Sequence, residues 1–75
     1  MPGSLRLEVA DGVATLTLDN PSRLNAMDSA MWQAMPGLLA RAADVPAIHV
    51  LLLRGEGGRA FCSGNDIADF EALRA

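Results

Sequence analysis

Apolar and polar residues alternate from position 5 to position 10, with Leu5, Leu7 and Val9 on one side of an extended chain and Arg6 and Glu8 on the other. Positions 13–18 alternate as well, Ala14, Leu16 and Leu18 opposing Thr15 and Thr17. Asp11-Gly12 separates the two runs, and this dipeptide suits a two-residue hairpin turn that needs positive φ at both positions. Such a turn fixes the pairing: Val9 opposite Ala14, Leu7 opposite Leu16, Leu5 opposite Leu18, with Glu8 facing Thr15 and Arg6 facing Thr17. One face of the hairpin is then entirely apolar.

The next stretch, Asp19-Asn20-Pro21-Ser22-Arg23-Leu24-Asn25-Ala26, is a loop by composition. A helix is expected from Asp28 as N-cap, with Met31, Trp32, Met35, Leu38, Leu39 and Ala42 at helical spacing on a core-facing stripe. Pro36-Gly37 falls inside it and should kink or split it; Asp44-Val45-Pro46 should end it. The apolar run at 48–53, broken only by His49, is too short for a helix and suits a strand buried on both faces of a parallel sheet. Gly55, Gly57 and Gly58 make a loop, Ala60-Phe61-Cys62 a short strand, and Ser63-Gly64 a turn. Asp66 is placed to cap a last helix with Ile67, Phe70 and Leu73 on one side. The order of hairpin, helix and parallel strand is α/β and reads as a hairpin followed by a β-helix-β unit, and residues 1–75 allow one domain at most, or a piece of a larger one.

A chain of 75 residues with one cysteine has no disulfide framework to compensate for a small core, although half of it is apolar. A net charge of −3 argues against nucleic acid as a partner. All six basic residues are arginine, which hints at a GC-rich, bacterial coding sequence. No apolar run has membrane-spanning length, and the first residues lack the basic and apolar regions of a signal peptide, so a cytoplasmic location is expected.

Few residues carry obvious chemistry. Gly55-Glu56-Gly57-Gly58-Arg59-Ala60 matches the outline of a dinucleotide-binding loop, but a strand rather than a helix is expected after it. Cys62 has no histidine or lysine near it in sequence to activate its thiol and reads as a packed side chain. His49 in an apolar run reads as structural, and Asp66, Asp69 and Glu71 as helix solvation rather than metal ligands. Arg23 by itself reads as a solvated loop cation. The Gly64-Asn65 turn can either direct a peptide N–H at a developing negative charge or be an ordinary turn, and spacing does not decide between these.

Three blocks occur in the order and spacing of the crotonase (enoyl-CoA hydratase/isomerase) family, which the chain resembles over nearly its whole length. They are residues 13–27, with Pro21-Ser22-Arg23-Leu24-Asn25-Ala26; residues 48–55; and residues 59–67, with Ala60-Phe61-Cys62-Ser63-Gly64-Asn65-Asp66. The resemblance implies the N-terminal part of a crotonase-like ββα spiral fold. It implies an enzyme of fatty acid metabolism, acting on acyl-CoA, with no cofactor beyond the coenzyme A of the substrate and with homo-oligomers, trimers or hexamers, in the complete protein. By the same resemblance the Asn65 backbone N–H is one of two oxyanion-hole donors to the thioester carbonyl. Ser63, Asp66 and Ile67 line the CoA channel, and Arg23, Leu24 and Ala26 form the loop on which nucleotide and pantetheine lie. Many hydratases of the family carry alanine where this chain has Asn65, which bears on hydratase against isomerase chemistry. The family's second donor and acidic catalytic residues fall beyond position 75, so the 75-residue chain is expected to be inactive by itself. The alternatives are a non-catalytic acyl-CoA-binding or assembly module and a dinucleotide-binding fragment.

Overall fold

A computed structural model describes residues 2–66. Two antiparallel strands, β1 (Ser4–Ala10) and β2 (Val13–Asp19), form the expected hairpin. The register is the one that the turn and the apolar alternation require: Leu5 with Leu18, Leu7 with Leu16, Val9 with Ala14, Arg6 with Thr17 and Glu8 with Thr15. Asp11 and Gly12 take φ values of 53° and 80°, the positive pair of a tight hairpin turn. A 3-10 turn at Pro21–Arg23 leads toward helix α1 (Ser29–Ala43), and β3 (Val50–Gly55) then pairs in parallel with β2. The sheet order β1-β2-β3 with α1 between the parallel strands is a β-α-β crossover preceded by a hairpin strand.

The start of α1 is firmly set. Asp28 caps it, one carboxylate oxygen accepting from the Met31 N–H at 2.9 Å and the other from the Gly3 N–H at 2.6 Å. Asp28 is itself buried, so these bonds tie the helix start to the segment entering β1. Among the described residues Leu18, Met27 and Met31 are buried together, with Leu5, Met35 and Cys62 packed against them.

Several expectations are corrected. Pro36 does not split α1, which runs through it for 15 residues. The proline removes one N–H from the ladder, but the capped start and the packing of Met31 and Met35 hold the helix together across that gap. The stripe of α1 is only partly core, since Met31 and Ala42 are buried while Trp32 and Leu39 are exposed. The strand expected from the apolar run at 48–53 begins at Val50, after His49, and is not a buried strand: Val50, Leu51, Leu52 and Leu53 are each about half exposed. The sheet order leaves β3 at an edge, and α1 packs chiefly over β1, so the described residues do not cover its two faces. Ala60-Phe61-Cys62 forms no strand. The helix expected after Asp66, with Ile67, Phe70 and Leu73, lies outside the described residues.

Arg6, on the polar face of the hairpin, bonds Asp19 at 2.7 Å and also Glu56 in the turn after β3. The hydrogen bond from the Arg6 guanidinium, aided by its charge, holds the Glu56 carboxyl below its ordinary range. A depressed carboxyl contributes stability above its unfolded-state value and loses that contribution as pH falls through the folded value. The chain should therefore lose stability on acidification below the ordinary glutamate range of about 4.5. The urea midpoint measured from pH 6 to pH 3 should fall less steeply in Glu56→Gln, and salt should shrink the difference.

Pro36→Ala should raise stability by roughly 1–3 kcal/mol, because it restores a hydrogen-bond donor to a helix already continuous at that point. Urea unfolding followed by circular dichroism measures it.

Candidate functional site

The loop after β2 is wound tightly on itself. Arg23 N–H and Asn25 N–H both donate to the Asn20 carbonyl, and Leu24 N–H donates to that of Pro21. Leu24 and Asn25 both lie in the left-handed region, at φ 53° and 60°. Two successive left-handed residues are costly for L-amino acids, although asparagine tolerates the region better than most. The cost is offset by what the Asn25 side chain does there. Its carboxamide is almost fully buried: Oδ1 accepts from the Asn20 N–H at 2.8 Å, while Nδ2 donates to the carbonyls of Glu56 at 2.9 Å and Ala60 at 2.8 Å. Asn25 thus fastens the loop after β2 to the loop after β3.

Gly55 leaves room for that fastening. A Cβ at Gly55 would lie 2.1 Å from the Ala60 carbonyl oxygen, 2.6 Å from that of Phe61 and 2.7 Å from Asn25 Nδ2. The glycine is required here for space, since backbone fills the position a methyl group would take.

Once fastened, the two loops run side by side. The Leu24 carbonyl accepts from Ser63 N–H at 3.1 Å, and Ser63 Oγ donates to the Arg23 carbonyl at 3.0 Å. Met27 N–H donates to the Gly64 carbonyl at 2.8 Å, and the Met27 carbonyl accepts from Asp66 N–H at 2.9 Å. These two bonds make Met27 and Asn65 partners in a parallel bridge. In such a pair Met27 makes both bonds to the neighbours of Asn65, and the N–H and C=O of Asn65 point to the other side. Gly64, at φ 119°, takes a conformation open to glycine and rarely to other residues. Nothing stands near where its side chain would be, so backbone conformation and not crowding selects glycine there.

The consequence is a single available donor. Of the backbone N–H groups from Ser63 to Asp66, that of Ser63 is taken by Leu24, that of Gly64 by Cys62 Sγ at 3.4 Å and that of Asp66 by Met27. Asn65 N–H has no acceptor among the described residues, and Asn65 is exposed. Its side chain is held elsewhere, Oδ1 accepting from the indole N–H of Trp32 at 2.9 Å.

The other candidate residues gather around this point. Arg23 and Leu24 are exposed, and Arg23 has no ion-pair partner among the described residues. Ala26 is buried, its N–H bonded to the Arg23 carbonyl and its own carbonyl to Asn20 Nδ2. Ile67 lies outside the described residues. Cys62 packs beside the core, and its thiol is bonded to the Gly64 peptide. The glycine loop at 55–58 opens no helix before Asp66, unlike a dinucleotide-binding turn. Among the described residues no three His, Cys, Asp or Glu side chains come together as a metal site, and no helix is long and apolar enough to cross a membrane.

The fastening by Asn25, the room left by Gly55 and the bond from Trp32 to Asn65 were not apparent from the sequence. Each joins residues 30 or more positions apart, or depends on such a join. The one local signal was an asparagine after a proline-started turn, a residue suited to left-handed backbone.

The chain resembles known proteins in sequence and in fold. Residues 13–74 match the profile of the enoyl-CoA hydratase/isomerase family. The 1,2-epoxyphenylacetyl-CoA isomerase of Escherichia coli is 41% identical over 61 residues, covering 81% of this chain and 23% of the relative. The (E)-benzylidenesuccinyl-CoA hydratase of Thauera aromatica is 36% identical over 61 residues, covering 81% of this chain and 24% of the relative. The crystal structure of an enoyl-CoA hydratase from Mycobacterium marinum superposes with a TM-score of 0.80 at 40% identity, over 92% of this chain and 32% of that one. The chain spans about a quarter of the length of the curated relatives it matches.

Asn25→Ala should cost several kcal/mol, since it strands two carbonyls and an N–H at roughly 1–3 kcal/mol for each buried group. Asn25→Gly, which tolerates the positive φ, should be about 1 kcal/mol less damaging. Gly55→Ala should destabilise by about 1–3 kcal/mol or more through overpacking. Chemical denaturation of the three variants measures these differences.

Proposed function

Because the chain belongs to the enoyl-CoA hydratase/isomerase family, we propose that it forms the acyl-CoA thioester-binding part of such an enzyme, with Asn65 N–H as one oxyanion-hole donor. The observation that supports this reading is the Asn65 N–H, without an acceptor among the described residues and turned outward by the Met27–Asn65 bridge, while the N–H groups of Ser63, Gly64 and Asp66 are bonded. A thioester carbonyl accepting from that N–H is polarised, and the donor strengthens as the oxygen gains negative charge. An enolate-like transition state is thereby favoured over the ground state.

The remaining roles are those the family resemblance implies, and position is consistent with them. Arg23, exposed and without an ion-pair partner among the described residues, offers its guanidinium to the phosphates of coenzyme A. Ser63 and Asp66, flanking the donor, form the wall of the channel; their backbone N–H groups are bonded to the neighbouring loop, so they shape the passage rather than add donors. Addition of water or movement of a proton needs a carboxyl acid–base group and a second carbonyl donor, neither of which we assign among these 75 residues. The complete enzyme is read as a hydratase or isomerase, and this chain as its substrate-holding portion.

Titration of the 15N-labelled chain with butyryl-CoA should shift the Asn65 backbone amide downfield, and free coenzyme A should leave that resonance largely in place. Equal shifts with both ligands would place the contact on the nucleotide alone and contradict the assignment of the carbonyl donor. The same chain incubated with crotonyl-CoA should show no hydration or isomerisation; turnover would mean that a complete catalytic set is present here.

A further inference from the structure

We propose that Trp32 is a positioning residue for this site, keeping the Asn65 N–H available by occupying the Asn65 side-chain oxygen. The inference rests on the acyl-CoA reading only for the identity of the ligand, not for the device itself.

Asparagine in a turn is a competitor for nearby backbone donors: its Oδ1 readily accepts from N–H groups in its own segment. At Asn65 that tendency would work against the site, because the available donor is the residue's own N–H. The Trp32 indole N–H, a donor with no acceptor capacity, lies 2.9 Å from Asn65 Oδ1 and claims it. The carboxamide is thereby drawn toward α1 and away from the outward-facing N–H.

Both partners of this bond are fixed to one point of the backbone. Trp32 N–H donates to the Asp28 carbonyl at 3.0 Å in the first turn of α1, and Asp28 caps that turn through Met31 N–H. Asn65 is bridged to Met27, the residue immediately before Asp28. The indole and the carboxamide are thus referenced to adjacent residues, which gives the bond a constant geometry. Burial alone does not place the ring, since Trp32 remains 50% exposed. A half-exposed indole directed at one amide oxygen is accounted for by the hydrogen bond.

The device makes the effect of Trp32 conditional on Asn65. Trp32→Phe should release the carboxamide to fold onto its own N–H; in an Asn65→Ala background nothing is left to release. A chemically synthesised chain with 3-benzothienylalanine at position 32 keeps the bicyclic ring and removes only the donor, so it serves if the phenylalanine variant packs poorly.

Hydrogen exchange of the Asn65 amide with water, followed by NMR without ligand, tests the device directly. Exchange should slow by about threefold to tenfold on loss of the indole donor and should not change when the same loss is made in Asn65→Ala. The Trp32 indole N–H should in turn exchange faster in Asn65→Ala than in the parent chain. Unchanged Asn65 exchange without the donor, or equal change in both backgrounds, overturns the proposal. Butyryl-CoA titration then separates the two readings: its Kd should rise about threefold to tenfold on loss of the donor in the Asn65 background only. If the exchange behaviour holds and butyryl-CoA does not bind, the positioning role stands and the acyl-CoA reading fails.

Discussion

One buried carboxamide holds the site together. Asn25 donates to Glu56 and Ala60 and accepts from Asn20, with almost no exposure to water. Each of these groups would need another partner if the side chain were absent, and the interior offers none without rearrangement. The left-handed backbone of Leu24 and Asn25 and the missing side chain of Gly55 both serve this contact. The parallel bridge of Met27 and Asn65 follows once the loops are fastened, and the bridge directs the Asn65 N–H outward. The donor therefore arises from loop pairing set up many residues away, and the helix start at Asp28 takes part in the same arrangement.

This chain of dependence explains which parts were legible in the residue order. The hairpin was, because Asp11-Gly12 and the alternation on either side constrain the same register by separate physics. The start of α1 was, because an N-cap acts within three residues. The exposure of β3 was not. A Leu-rich run reports what a strand is suited to touch, and whether anything touches it depends on the elements laid over it. Pro36 does not split the helix as it could have: the local penalty is outweighed by a capped start and by the packing of Met31 and Met35.

The site itself was half legible. Arg23, Leu24 and Ala26, and Ser63, Asn65, Asp66 and Ile67, are singled out through family resemblance, and the two segments lie side by side as far as Asp66. What distinguishes Asn65 from its neighbours is only visible once the partners of Ser63, Gly64 and Asp66 are known. A free N–H is defined by the absence of an acceptor, and sequence spacing records no absences. The same holds for the bond from Trp32, which links positions 33 residues apart. Family membership and geometry contribute different things here: the first gives the family, and the second shows which peptide N–H of the turn has no acceptor among the described residues.

The most direct test of the central claim replaces the Gly64–Asn65 amide by an ester in a chemically synthesised chain, substituting oxygen for the one N–H in question. The fold should be weakened only through the poorer Gly64 carbonyl acceptor for Met27, because the N–H has no partner among the described residues. Affinity for butyryl-CoA should fall by about threefold to tenfold, the worth of one hydrogen bond, while affinity for free coenzyme A stays the same. Unchanged butyryl-CoA affinity would contradict the account, because the thioester carbonyl would then be held by some other group.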